Sequence, residues 1–183
     1  MKSAQNKALL LTLFFLLSSA YTFAQHVWSV EEVPNTRLQS NDIHVSDPDG
    51  LLSDSCEMRI NTALGSIRDK ADVFVVALES IGDVSPEQFA VDLFNRWEIG
   101  DAATDNGVLM LFTMEQRILK FETGYGAESV LTDARCQDIF MQHIVPYFKA
   151  DDYEGGLCSG VAEIVNIYGG IIPTNLVSQI SNR

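Results

Sequence analysis

The sequence predicts an α/β chain folded as a three-layer α/β/α sandwich around a small mixed sheet. Three observations carry this. Val73–Leu78 and Val108–Phe112 are continuous apolar runs rich in β-branched and aromatic residues, the pattern of strands buried on both faces. Stretches with apolar residues at helical spacing alternate with them. A third strand run follows the second across a short polar turn and marks an antiparallel hairpin. Helices placed before, between and after such strands cover both faces of the sheet.

In chain order, residues 1–24 read as a signal peptide. Lys2 and Lys7 give a positive start, an apolar run from Ala8 to Leu17 follows, and Thr22 and Ala24 set a cleavage site before Gln25. That run is shorter than the about 20 apolar residues of a spanning helix, and no second one follows, so the mature chain is expected to be soluble, with no integral membrane span. Residues 25–42 are polar, lack sustained periodicity and read as an extended lead-in to a domain over 43–170. There Asp47-Pro48-Asp49-Gly50 is a turn. Ser53 or Asp54 caps a helix with Leu52, Cys56, Ile60, Leu64 and Ile67 on one face. Ser85-Pro86-Glu87-Gln88 opens the next, with Ser85 as N-cap, Pro86 in the first helical position and Gln88 reaching back. Phe89, Leu93, Phe94 and Trp97 form its buried stripe, and Gly100 is expected to end it. Thr113–Arg117 is the hairpin turn. On Ile118–Thr123, Leu119 and Phe121 share one face while Lys120 and Glu122 share the other. After a Gly124-Tyr125-Gly126 turn, one helix is expected from Thr132 to about Lys149, bent or ended by Pro146, and another from Tyr153 to Tyr168. Residues 171–183 read as a weakly ordered tail.

Twelve Lys and Arg stand against 25 Asp and Glu, a net charge of −13; without residues 1–24 the balance is 10 against 25, or −15. This argues against nucleic acid and anionic lipid as partners, since both need a positive face. It favours cations or basic partners, although solubility alone accounts for much of it. Export places the chain in a periplasmic or extracellular, oxidising space. Its three cysteines, Cys56, Cys136 and Cys158, are an odd number without metal-ligand spacing. One bridge, Cys136 with Cys158, and burial as small apolar residues are both open.

Acids concentrate between 101 and 133. Asp105-Asn106-Gly107 precedes one hairpin strand and Glu122 to Glu128 ends and follows the other, so hairpin closure brings the two regions together. Asp105, Glu122, Glu128 and Asp133 can then converge at one sheet edge, with Asp47 joining from the N-terminal turn. Two carboxylates about 5 Å apart at an effective dielectric of about 20 repel by roughly 3 kcal/mol. A convergent set therefore needs a cation, a proton or dispersal, and calcium or magnesium suits oxygen donors. Turn chemistry with solvated acids is the other reading. Residues 101–112 fail as an EF-hand loop, because Ala103, Asn106 and Phe112 stand where a ligand, the turn glycine and the bidentate acid belong. Gly156-Leu157-Cys158-Ser159-Gly160 mimics a nucleophile elbow but lacks the strand that must precede it.

The run Phe94-Asn95-Arg96-Trp97-Glu98-Ile99-Gly100, then Asp105-Asn106-Gly107-Val108-Leu109, resembles the TPM-domain family, exported or lumenal domains related to the thylakoid acid phosphatase of photosystem repair. Residues 45–53, 122–128 and 131–134 fit the same pattern in order. The resemblance implies a divalent-cation site at one end of the sheet, with Asp47, Asp105, Glu122, Glu128 and Asp133 as ligands and Asn106 and the backbone of 124–126 completing the loop. The acids, turns and glycines fit an exported, non-catalytic module that binds calcium or magnesium and serves envelope maintenance or membrane-protein quality control beside an envelope protein partner. The alternative is a metal-dependent acid phosphatase acting on phosphate monoesters, with Arg117, Lys120 or Arg135 neutralising phosphate charge. Against it, a net −15 repels phosphate esters.

Overall fold

A computed structural model of the chain describes residues 26–176; the expected signal peptide and residues 177–183 lie outside the described residues. Four strands make one mixed sheet in the order β1-β2-β3-β4: β1 Val45–Ser46, β2 Asp72–Leu78, β3 Gly107–Thr113 and β4 Ile118–Thr123. β1 and β3 run parallel to β2, and β4 returns antiparallel to β3, with Thr113 opposite Ile118 and Val108 opposite Thr123. The helices are α1 Asp54–Gly65, α2 Pro86–Trp97, α3 Tyr125–Glu128, α4 Asp133–Asp138, α5 Val145–Phe148 and α6 Tyr153–Ile167.

Alternation along the central strands divides their side chains between two cores. Val73, Val75, Ala77, Val108, Met110 and Phe112 pack with Cys56, Ile60 and Leu64 of α1 and with Leu157, Val161 and Ile164 of α6. Phe74, Val76, Leu78, Leu109 and Leu111 pack with Phe89, Leu93 and Trp97 of α2. This is the three-layer sandwich expected from the two doubly buried runs. Each fully buried Leu, Ile or Phe contributes about 1.5–3 kcal/mol relative to exposure, so both layers are needed to hold the sheet.

Local chemistry sets the boundaries. Ser53 and Ser85 accept hydrogen bonds from the N–H groups of Cys56 and Gln88 and cap α1 and α2. Gln88 does not reach back: its amide donates forward to Asp92 Oδ1 at 2.9 Å, and Glu87 takes the Ser85 hydroxyl instead. α2 ends before Gly100, because Glu98 adopts the left-handed conformation (φ 51°) that closes it. The helix expected from Thr132 is three segments, α4, a π-helical stretch Ile139–Ile144, and α5. Pro146 supplies the reason: it has no N–H and its ring crowds the carbonyl four residues earlier, so the backbone widens ahead of it.

Two further features depart from the sequence expectation. β1 is an edge strand of two residues, too short to show alternation. The polar lead-in is packed: Val33 is buried, and Trp28 and Val30 lie against the α2-side core. Trp28 donates its backbone N–H to Ser80 O and its indole N–H to Asp49 Oδ2 at 2.7 Å. Among the described residues no helix is long and apolar enough to cross a membrane.

Candidate functional site

The β3–β4 hairpin and the loop entering β3 build the acidic end of the sheet. Asp105 precedes β3 with φ 48°. Its carbonyl accepts the N–H groups of Gly126 (2.9 Å) and Ala127 (3.2 Å), and its Oδ2 accepts that of Tyr125 at 2.9 Å. The loop and the start of α3 are thereby interlocked. A methyl group on Gly126 would strike the Thr104 carbonyl, and one on Gly124 would strike Asp105, so glycine at both positions is what allows the approach. Asp101 Oδ1 accepts from the N–H groups of Ala103 and Thr104, and Asn106 bridges Asp101 N and Lys70 O.

On β4, Glu122 lies opposite Leu109 and therefore projects on the α2 side of the sheet. Glu128, at the end of α3, is close enough for its charge to reach Glu122. Burial, and then the charge of Glu128, raise the Glu122 carboxyl above the ordinary range. Neither carboxylate takes a hydrogen bond or an ion pair among the described residues.

The other two expected ligands stand elsewhere. β1 is parallel to β2 and β3, so Asp47, just after β1, leaves the sheet at the end opposite the one where Asp105 enters. Ser46 pairs at Val76 and Gly107 at Asp72, a separation of roughly 13 Å along the strands at ~3.3 Å per residue. From there the two acids diverge. Asp47 is engaged by the N–H groups of Leu51 (2.9 Å) and Leu52 (2.6 Å). Its carboxyl is pushed up chiefly by burial and also by Asp49, and its own charge acts on Glu57. Asp133 opens α4, where an acid favours the helix N-terminus. Burial, and then Asp133's charge, push the Cys136 thiol up to about 11. The expected convergence of five carboxylates is therefore not formed. Among the described residues no three Asp, Glu, His or Cys side chains gather into a group able to hold a metal ion.

The expected cations are engaged or placed otherwise. Lys120 pairs with Glu87, Arg135 donates to Val130 O, and Arg117 sits in the hairpin turn at the far end of β4 from Glu122. Sequence reasoning missed Arg37, whose guanidinium donates to Trp97 O (3.3 Å) and Gly100 O (3.1 Å) and fastens the lead-in to the acidic loop. It also missed Tyr125, 85% exposed at the loop tip. No local signal marked either residue, because both roles depend on a distant segment.

The TPM-domain family profile matches residues 45–167. Among solved structures, the N-terminal domain of a protein from P. gingivalis is 35% identical, with a TM-score of 0.73 over 78% of this chain and 92% of that one. Two more share the fold: the BA42 protein of Bizionia argentinensis, 18% identical with a TM-score of 0.56 over 73% and 94%, and the N-terminal domain of the cg2496 protein of Corynebacterium glutamicum, 20% identical with a TM-score of 0.52 over 79% and 85%. No curated protein matches. With the profile spanning both cores and the acidic hairpin end, the chain belongs to the TPM-domain family.

Proposed function

We propose that this TPM domain is an exported, non-catalytic module that binds a divalent cation, calcium or magnesium, at the hairpin end of its sheet and there presents a surface to an envelope protein. One observation carries the reading: Glu122 and Glu128 are mutually repelling carboxylates with no hydrogen-bond or ion-pair partner among the described residues. Hard oxygen donors in that state suit a hard cation, and two carboxylates with water completing the shell suffice for a modest-affinity site. Asp105 would hold the loop beside them through Tyr125 N–H. Asp47, at the opposite end of the sheet, and Asp133, in the first turn of α4, are left out of this ligand set. Exposed Tyr125 gives the cation-ordered loop an aromatic contact for a partner. The segment 1–24 supports export, and a full-length chain retained in the cytoplasm on cell fractionation would remove that part of the reading.

The thermal melt of the protein with and without cation tests the site. An extracellular-type affinity of roughly 10⁻⁴–10⁻³ M gives about 1.4–2.7 kcal/mol at about 10 mM cation, a rise of roughly 3–10 °C. The rise should be lost in Glu122→Gln/Glu128→Gln. An unchanged wild-type melt, or an equal rise in the double variant, refutes the site. Hydrolysis of an aryl phosphate that disappears on chelation and in the double variant would replace the non-catalytic reading with the phosphatase one.

A further inference from the structure

We propose that Cys56 and Cys158 form a disulfide that staples α1 to α6. Their sulfurs lie 2.7 Å apart across the interface of the two helices, and an S–S bond needs about 2.05 Å. The sequence pairing considered above, Cys136 with Cys158, is not the one the fold sets up: Cys136 is directed to Leu131 O, 3.9 Å away.

A polar clamp at the helix starts sets this register. Glu154 accepts the backbone N–H of Ser53 at 2.9 Å, the Ser53 hydroxyl at 3.0 Å and the Arg59 guanidinium at 3.4 Å. Cys56 follows Ser53 by about one helical turn, and Cys158 follows Glu154 by about one turn. Fixing the two N-termini side by side therefore brings the two sulfurs face to face. The residues are 102 positions apart, so one bond joins the first helix of the domain to its last. Cys56 is fully buried and Cys158 nearly so, which shields a formed bond from reductants and requires that it form before these helices close.

The reaction is thiol–disulfide exchange with a small or protein disulfide as oxidant. One protein thiolate attacks a donor sulfur, expels one donor thiolate and leaves a mixed disulfide. The second protein thiolate then attacks the protein sulfur of that bond and expels the other donor thiolate. The two protein thiols are oxidised by two electrons in all, the donor is reduced to two thiols, and both protons end on those thiols. Export supplies an oxidising compartment in which such a bond persists.

The test equilibrates the full chain, reduced and unfolded, in refolding buffers of graded oxidised and reduced glutathione. It then alkylates the free thiols in denaturant and measures the mass. Oxidising buffers should leave one alkylated cysteine, Cys136, and tryptic mapping should recover a peptide pair joined through Cys56 and Cys158. Cys136→Ala should keep that pair. For a loop of this length, the chain-entropy estimate corresponds to a fall in melting temperature of roughly 10–20 °C on reduction, absent in Cys56→Ala/Cys158→Ala. Three alkylated cysteines at every glutathione ratio, or a bridge through Cys136, overturns the proposal. The mass count needs no variant to fold and does not depend on cation binding.

Discussion

Glu122 carries a pH signature that can be read from its surroundings. Burial and Glu128 hold its folded pKa above the 4.5 of a free Glu side chain. Between the unfolded and folded values the native state then binds more protons than the unfolded chain, so stability falls as pH rises through that window. Asp47 and Glu57, raised mainly by burial, add to the same fall. Buried His44, its pKa lowered chiefly by desolvation, contributes the opposite slope towards pH 6.5, so the test is the difference. In cation-free buffer, denaturant unfolding from about pH 4.5 upwards should show wild-type stability falling relative to Glu122→Gln as pH rises, and identical slopes in the two proteins would refute the raised Glu122 carboxyl. At this scale the sequence was most informative where chemistry is local. Ser53 and Ser85 were legible as caps, and Lys120 and Glu122 as sharing a face. Asp47 was misplaced for a physical reason: the hand and direction of β1 decide which end of the sheet it occupies, and a strand of two residues leaves no periodic trace of either.

Elements were legible where their periodicity ran long. Both doubly buried strands, the hairpin and α1, α2 and α6 follow from apolar spacing; the π-helical stretch does not, because proline marks a disturbance without saying how the backbone accommodates it. α6 shows how packing explains a motif that looked chemical. Gly156 and Gly160 lie in the helix facing Phe148 and Ile144, and a methyl on either would come within 2.7 Å of those side chains. The half-buried Phe148 ring is held in a cluster with Phe112 and Tyr153, at 5.1 Å from each centroid. Gly156→Ala should therefore destabilise the protein by about 1–3 kcal/mol in urea unfolding, although alanine gains roughly 1 kcal/mol in a free helix. A stabilised variant would show that α6 can back away from Phe148 of α5. The cysteine inside that motif packs on the α1 side, where its proposed disulfide partner Cys56 lies.

For the whole molecule, the sheet direction connects fold to function. Parallel β1, β2 and β3 with antiparallel β4 put the entry to β3 and the exit of β4 at one end, and the loops there are tied together by Asp105 and by two glycines that admit its backbone. Arg37 of the lead-in reaches the same loop, so a segment that reads as an extended approach to the domain helps position the candidate site. The general acidity of the chain was plain in its composition, whereas the number of acids that meet could be decided only by the sheet's topology. A ¹⁵N–¹H NMR titration of the protein with calcium chloride tests the cation site most directly. The account predicts saturable shifts concentrated in residues 101–107 and 122–128, largest around Glu122 and Glu128, and lost in Glu122→Gln/Glu128→Gln. Shifts centred on the Asp47–Leu52 turn, or none up to about 10 mM, roughly ten times the weakest extracellular-type dissociation constant, would contradict it.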